Sequence, residues 1–377
     1  MQFEEKKRQS HHLVYPLHGG NRNAAAKSVG MCPEDLTDFS ASINPLGPPQ
    51  CVLELMKSSA EYLREYPDSS ASSFRTALAQ HLNISSDWIT AGNGSTELIY
   101  LIPRLWDAGR RVALVTPCFS EYERAFKLAD VPVDKISLTP DNGFHPEAEH
   151  LLFKFQGIKN LGGIVIGHPL SPVGNMWKKE ILTALIQYCE KRSLFLIVDE
   201  TFIDFCGEEH SLASQITSHK KLILIRSMTK FYALPGLRLG YGIMHPEWTQ
   251  SLERHRIPWS VNTIAQAVGV CLLGDRDYAT SSREFIRQER TYLYEGLSEI
   301  TGLKVFHSDS NFLLFHLVEG NEAESARLYT HLLRDGLLIR NCGNFDGLNQ
   351  TYFRIAIKTH RENALLLASL KKHLGSV

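Results

Sequence analysis

Arg226-Ser227-Met228-Thr229-Lys230-Phe231-Tyr232-Ala233-Leu234-Pro235-Gly236-Leu237-Arg238-Leu239-Gly240 is the stretch on which the reading of this chain turns. It follows the apolar run Leu222–Ile225, which has the composition of a buried strand, and it sets a serine, a lysine and an arginine in a Gly/Pro-punctuated turn. A lysine at the edge of an apolar sheet loses hydration, which lowers its pKa and frees its amine as a nucleophile. Such an amine suits a Schiff base with a carbonyl cofactor. Ser227, a neutral donor, and Arg238, a planar fork, are the side-chain types that hold an anion beside it. Alone, Lys230 would read as a surface cation after a strand; the whole segment reverses that reading.

Working outward, further apolar runs at Val112–Val115, Gly163–Gly167, Leu194–Val198 and Gly240–Met244 read as strands covered on both faces. Helix-period segments at Ser95–Trp106 and Lys178–Lys191 lie before and between them. Strand–helix alternation of this kind predicts an α/β fold, with a mostly parallel central sheet and helices on both sides. Beyond a long helix near residue 280 the pattern changes. Lys304–His307, Phe312–Phe315, Leu337–Arg340 and Tyr352–Ile357 read as strands, with helices at Glu322–Arg334 and Arg361–Lys372. The expected organisation is an amino-terminal segment (1–47) covering the active site, a large domain (48–280) and a smaller carboxy-terminal α+β domain (281–377). The Gly-, Pro- and Asn-punctuated amino-terminal segment is expected to wrap over the rest rather than to form core.

With 377 residues the chain suits two lobes. Lys plus Arg number 40 against 41 Asp plus Glu, so no global field favours nucleic acid or anionic lipid, although a local basic pocket for a small anion remains open. Met1–Ser10 is charged and lacks the apolar core of a secretory signal, and no apolar run approaches the ~18 residues of a membrane span. The seven cysteines are scattered, with no C-x-x-C spacing. That argues against a disulfide framework or a zinc site and for a reducing cytosol. The expectation is a soluble cytoplasmic protein with no metal, no membrane and no nucleic-acid partner. His11 and His12 show no ligand spacing.

Three more segments carry chemistry. Asp199, opening Asp199-Glu200-Thr201-Phe202 at the carboxyl end of a strand, lies where open α/β sheets bind ligands; an acidic helix cap is the alternative. Ala91-Gly92-Asn93-Gly94-Ser95-Thr96-Glu97 is a Gly-rich turn opening a helix, where free N–H groups and the helix dipole favour phosphate. Phe119 follows another strand and is either a core aromatic or a ring-stacking one.

These segments resemble fold-type I pyridoxal-phosphate (PLP) enzymes, in the branch shared by histidinol-phosphate aminotransferases and threonine-phosphate decarboxylases, and the resemblance covers nearly the whole chain. It implies that Lys230 forms the Schiff base with PLP and that Asp199 faces the pyridine nitrogen and keeps it protonated. It also implies that Ser227, Arg238, Gly94, Ser95 and Thr96 hold the cofactor phosphate and that Phe119 stacks on the ring. Tyr66 matches the tyrosine that reaches the cofactor phosphate of a neighbouring subunit, so a homodimer with shared active sites is expected. His18-Gly19-Gly20-Asn21 and Asp38-Phe39-Ser40-Ala41-Ser42-Ile43-Asn44-Pro45-Leu46-Gly47 resemble the decarboxylases more than the aminotransferases. On that resemblance Arg354 takes a substrate carboxylate, Arg340 lies near a substrate phosphate, and His18, Gly19 and Asn44 close over the phosphate end. Surface arginines and a loop-forming His-Gly-Gly are the plainer alternative.

The implied reaction is decarboxylation of an O-phospho-amino acid, L-threonine O-3-phosphate first and L-serine O-phosphate second, giving in the first case (R)-1-aminopropan-2-yl phosphate for the cobamide nucleotide loop. The rivals are a histidinol-phosphate aminotransferase and a PLP-fold binding protein without catalysis. One segment departs from the family pattern. His168-Pro169-Leu170-Ser171-Pro172-Val173-Gly174-Asn175 stands where N-P-N-N-P-T-G is usual, so Ser171 replaces the asparagine that binds the cofactor O3′. Phe202 stands where tyrosine is frequent. Asn175 swinging in, Ser171 alone and Ser171 through a water are the open substitutes. Fewer donors to O3′ predict a raised Schiff-base pKa. A spectral titration of the holoenzyme checks this, and an ordinary, low value would refute it.

Overall fold

The computed structural model describes residues 18–375; Met1–Ser10, His11 and His12 lie outside them. Seven strands form the large sheet in the order Ile89–Asn93, Leu239–Met244, Leu222–Ser227, Phe195–Asp199, Leu161–Gly167, Arg111–Thr116, Val133–Ser137. The last five of these are mutually parallel, and Leu239–Met244 runs antiparallel to both of its neighbours. The five apolar runs anticipated from sequence all lie in this sheet.

Their side chains divide by parity, as a pleated strand requires. Ala113, Val115, Ile164, Ile166, Leu196, Val198 and Leu224 pack in one apolar cluster. Val112, Leu114, Val165, Ile197, Ile223 and Ile225 pack in another on the opposite face. Helices cover both layers, including Lys179–Arg192, which buries Ile181, Leu182, Leu185, Ile186 and Cys189. Among the described residues no helix is long and apolar enough to cross a membrane.

Two strands escaped the sequence reading. Val133–Ser137 is an edge strand with only Ile136 buried, so it lacks an apolar run, and Ile89–Asn93 ends in small and polar residues. The helix expected over Ser95–Trp106 is α-helical only over Gly94–Leu101 and tightens to a 3-10 turn over Ile102–Leu105, where Pro103 supplies no N–H.

A four-stranded antiparallel sheet, Arg340–Asn341, Tyr352–Ala356, Phe312–Leu317 and Leu303–Val305 in spatial order, forms the second layer, with helices Arg276–Ser298, Glu322–Arg334 and His360–Leu374. The strand expected at Leu337–Arg340 is two short pieces. Leu337–Leu338 pairs in parallel with Thr37–Asp38, and only Arg340–Asn341 joins the antiparallel sheet. That pairing corrects the expectation for the amino-terminal segment. Ala25, Ala26, Leu36 and Phe39 are buried in the same cluster as Phe315, Leu332 and Phe353. The segment is part of the second core, and its polar face is carried to the mouth of the site.

Candidate active site

The parallel strands end on one side of a cavity of about 550 Å³. Lys230, Asp199, Ser95, Thr96, Phe119, Ser171, Arg238, Arg340, Arg354, His18 and Gly19 all line it. Residues far apart in sequence meet here because each strand in turn delivers its carboxyl end to the same edge.

Lys230 follows the strand Leu222–Ser227, and its Nζ donates to Thr229 Oγ1 at 3.3 Å. Burial, then the positive charge of Arg238, push its pKa down to about 8; Arg354 adds to this and Asp199 opposes it. The amine is therefore free above about pH 8 in the cofactor-free protein. Capture of added pyridoxal phosphate should accelerate as pH rises from 6.5 to 9.5, with a midpoint near 8, followed by absorbance in stopped flow. A rate still climbing tenfold per pH unit at 9.5, with no midpoint reached, would show that the lysine is not desolvated.

Asp199 is half-buried at the end of its strand, and Thr201 N–H donates to its Oδ1 at 2.9 Å. Burial raises its pKa, with Thr201, Tyr122 and the Lys230 charge opposing the rise. A carboxylate in this condition favours a cationic partner. Tyr122 lines the cavity close to Asp199, and its buried hydroxyl is directed at that carboxylate.

Gly94 and Gly240 let Arg238 and the Ser95 amide converge at one corner. Gly94 has a φ of +71°, and a Cβ there would come within 2.3 Å of Arg238 Nη2; one on Gly240 would come within 2.4 Å of the Ser95 amide nitrogen. Only glycine lets the arginine and the helix start Gly94–Leu101 close together. Arg238, itself left-handed at φ 62°, donates to the Pro235 carbonyl at 2.9 Å. Ser227 sits one layer lower, its hydroxyl 2.7 Å from Thr229 Oγ1; Thr229 is the one of the two that lines the cavity, and the sequence reading passed over it.

Arg354 is held under the cavity by Ser40 O at 3.2 Å and Ser171 Oγ at 3.5 Å, with its Nε unpartnered. Burial pushes its pKa down to about 10. Arg340 donates to Asn344 Oδ1 at 2.6 Å and lies over the Phe345 ring. Arg22 and Lys358 also line the cavity, and no motif announced them. Ser42 Oγ, another buried lining group, has no partner. Unpartnered donors, glycine clearance and clustered cations fit a planar aromatic ring bearing a phosphate, together with a second anionic molecule.

Two expectations are corrected. Asn44 is buried away from the cavity. Its amide donates to the Phe231 carbonyl at 2.9 Å and to Ser282 Oγ at 2.8 Å, and its backbone N–H donates to Lys230 O at 3.0 Å. It anchors the lysine loop and does not close over a ligand. Asn44→Ala should therefore lower kcat and melting temperature together, at a cost of about 1–3 kcal/mol in stability, while leaving substrate KM within about twofold; calorimetry and steady-state kinetics test this. Asn175, for its part, donates to the carbonyl of Gly143 at 3.2 Å and is buried outside the cavity, so of that segment Pro169 and Ser171 line it, and Ser171 brings the polar side chain. Phe202 packs edge-on against Phe312 at 4.9 Å.

Tyr66 does not reach this cavity within its own chain. It is 79% exposed and stacks on Trp259 at 4.8 Å between ring centroids.

The profile of the aminotransferase class I and II family matches residues 34–370. A threonine-phosphate decarboxylase of Salmonella typhimurium is 34% identical over 97% of this chain and 98% of its own length. A histidinol-phosphate aminotransferase of Symbiobacterium thermophilum is 30% identical over 90% and 91% respectively. The crystal structure of a histidinol-phosphate aminotransferase from Clostridium acetobutylicum superposes with a TM-score of 0.83, at 30% identity, covering 90% of this chain and 99% of that one.

Proposed function

We propose that this chain, which belongs to the aminotransferase class I and II family, decarboxylates an O-phospho-amino acid, with L-threonine O-3-phosphate as the preferred substrate. The cofactor is pyridoxal 5′-phosphate. The observation that carries the reading is the surplus of cationic side chains around the cavity. Lys230 and Arg238 serve the cofactor, yet Arg22, Arg340, Arg354 and Lys358 line the same space. A carboxylate and a phosphate on one small substrate account for that surplus, each accepting charge-assisted hydrogen bonds. The 34% identity to a threonine-phosphate decarboxylase along almost the full chain supports the same choice.

The roles follow from position. Arg238, Thr229, Ser95 and Thr96 would hold the cofactor phosphate, with Gly94 giving clearance and Ser227 bracing Thr229. Phe119 would lie against the ring, and Asp199 would keep a proton on the ring nitrogen. The bound cofactor supplies an electron sink for a bond broken at Cα. Arg354 would hold the substrate carboxylate, and Arg340, Lys358 and His18 the phosphate. Two anchored anions fix rotation about the Cα bonds and so select which bond aligns with the sink. After carbon dioxide departs, the Lys230 amine is the group positioned to return a proton to Cα. Tyr66, exposed beside Trp259, would complete the phosphate site of a second subunit in a homodimer.

The test is a product assay on PLP-loaded protein with L-threonine O-phosphate, L-serine O-phosphate and histidinol phosphate in parallel. Carbon dioxide and a phosphorylated amine, formed without 2-oxoglutarate, are expected. Turnover of histidinol phosphate alone, and only with a keto-acid acceptor, would make the protein an aminotransferase. One methyl group separates the two phospho-amino acids, a discrimination of about 1–3 kcal/mol.

A further inference from the structure

Glu121 is a buried carboxylate that none of the roles above uses. It opens the helix Ser120–Leu128 two residues after Phe119, and its side chain is only 8% exposed. One oxygen accepts from the Tyr100 hydroxyl. The other lies 3.0 Å from Nε2 of His18, which is 44% exposed and lines the cavity mouth. Arg124 stands farther off, 3.8 Å away. A carboxylate this enclosed is costly unless its partners are held in place, and here a cavity residue is one of them.

The far end of the same short strap is fastened differently. Gly20 N–H donates to Ser40 Oγ at 2.8 Å, and that hydroxyl donates to Asp38 Oδ1 at 2.6 Å. Gly19 lies so close to the Ser40 carbonyl that a Cβ would come within 2.2 Å of the oxygen. The carbonyl also accepts from Arg354. Residues 18–20 therefore bridge the cavity between the Phe119 side and the Arg354 side, and Glu121 is their anchor on the first. The His18 ring also rests against Phe119, with centroids 5.7 Å apart.

We propose that Glu121 is a positioning residue for recognition of the substrate's phosphate, acting through His18 to seat the strap over the cavity. The proposal rests on the phospho-amino acid reading above. Glu121 touches neither cofactor nor substrate in this assignment. Its carboxylate orients one imidazole nitrogen and leaves the other ring edge to meet the incoming anion.

The experiment compares wild type, Glu121→Gln, His18→Ala and the double variant as PLP-loaded enzymes. Binding of L-threonine O-phosphate and of L-threonine is titrated through the cofactor's absorbance, and carbon dioxide release is measured alongside. Glu121→Gln should weaken binding of the phosphorylated ligand roughly tenfold and raise its KM by a like factor, with kcat and L-threonine binding within twofold. The double variant should bind no more weakly than His18→Ala, because both changes remove one device. Equal weakening for both ligands, full additivity with His18→Ala, or no change would each overturn the proposal. Tighter binding of the phosphorylated ligand by wild type without carbon dioxide release would overturn the decarboxylase reading and leave the role of Glu121 to be decided by the binding arms. No preference for the phosphorylated ligand would overturn both.

Discussion

Replacing Lys230 with alanine should reduce product formation by at least about 10⁴-fold and abolish the cofactor's protein-bound absorbance band, because in the proposed reaction one amine serves as both the covalent anchor and the proton carrier. Lys230 is suited to both tasks by its surroundings. Burial and the Arg238 charge bring its pKa to about 8, so an appreciable fraction is neutral near physiological pH. Borohydride reduction followed by peptide mass analysis gives the sharper readout. The wild type should carry the reduced cofactor on Lys230, and the variant should carry none. A reducible adduct that persists in the variant would move the anchor to the cavity's other lysine, Lys358, whose pKa burial also lowers. Lys230→Ala combined with Lys358→Ala would then identify it.

Asp199→Asn should lower kcat by about 10²–10³-fold, the scale expected for removing a preorganised charge from a site that excludes water. Asparagine keeps an oxygen for the Thr201 N–H but carries no charge to hold a proton on the ring nitrogen. Stability separates this loss from misfolding. In the cofactor-free protein burial raises the Asp199 pKa above its unfolded value, so the carboxylate destabilises the fold above its folded pKa and is costless well below it. The variant without cofactor should therefore melt at or above the wild-type temperature at pH 7 and show no such gain in strong acid. A kcat within about threefold of wild type would remove Asp199 from the mechanism. A large fall in melting temperature would make its role structural.

Much of this is legible in the sequence. Leu222–Ile225 and the other apolar runs could be read as central strands because a strand buried on both faces needs apolar residues at consecutive positions. The edge strand Val133–Ser137 was not legible for the converse reason: half of it faces water. Asp199 and Lys230 were legible because each lies within a few residues after such a run, and chain order alone puts both at the carboxyl edge of one sheet. Arg22, Ser42, Tyr122 and Lys358 carried no comparable signal. None of them was singled out within its segment, and each reaches the cavity only through packing of segments remote in sequence.

Asn44 shows the limit from the other side. Its motif drew it into the ligand group, yet the structure turns its amide to Phe231 and Ser282, beneath the lysine loop. Neighbours one or two residues apart on an irregular segment can face opposite directions, and no periodicity reports which. Ser42, two residues earlier, faces the cavity instead.

By itself the sequence determined the α/β sheet and placed Lys230, Asp199 and the glycine-rich turn before Ser95 at one edge of it. Each of these depends on local composition and on the alternation of strand and helix. Tertiary structure decided which cations share the cavity, that the amino-terminal segment joins the second core through Thr37–Asp38, and that His18 is tied to Glu121. Those are contacts between distant segments, set by how two cores close on each other, and the spacing of residues along one chain carries no record of them.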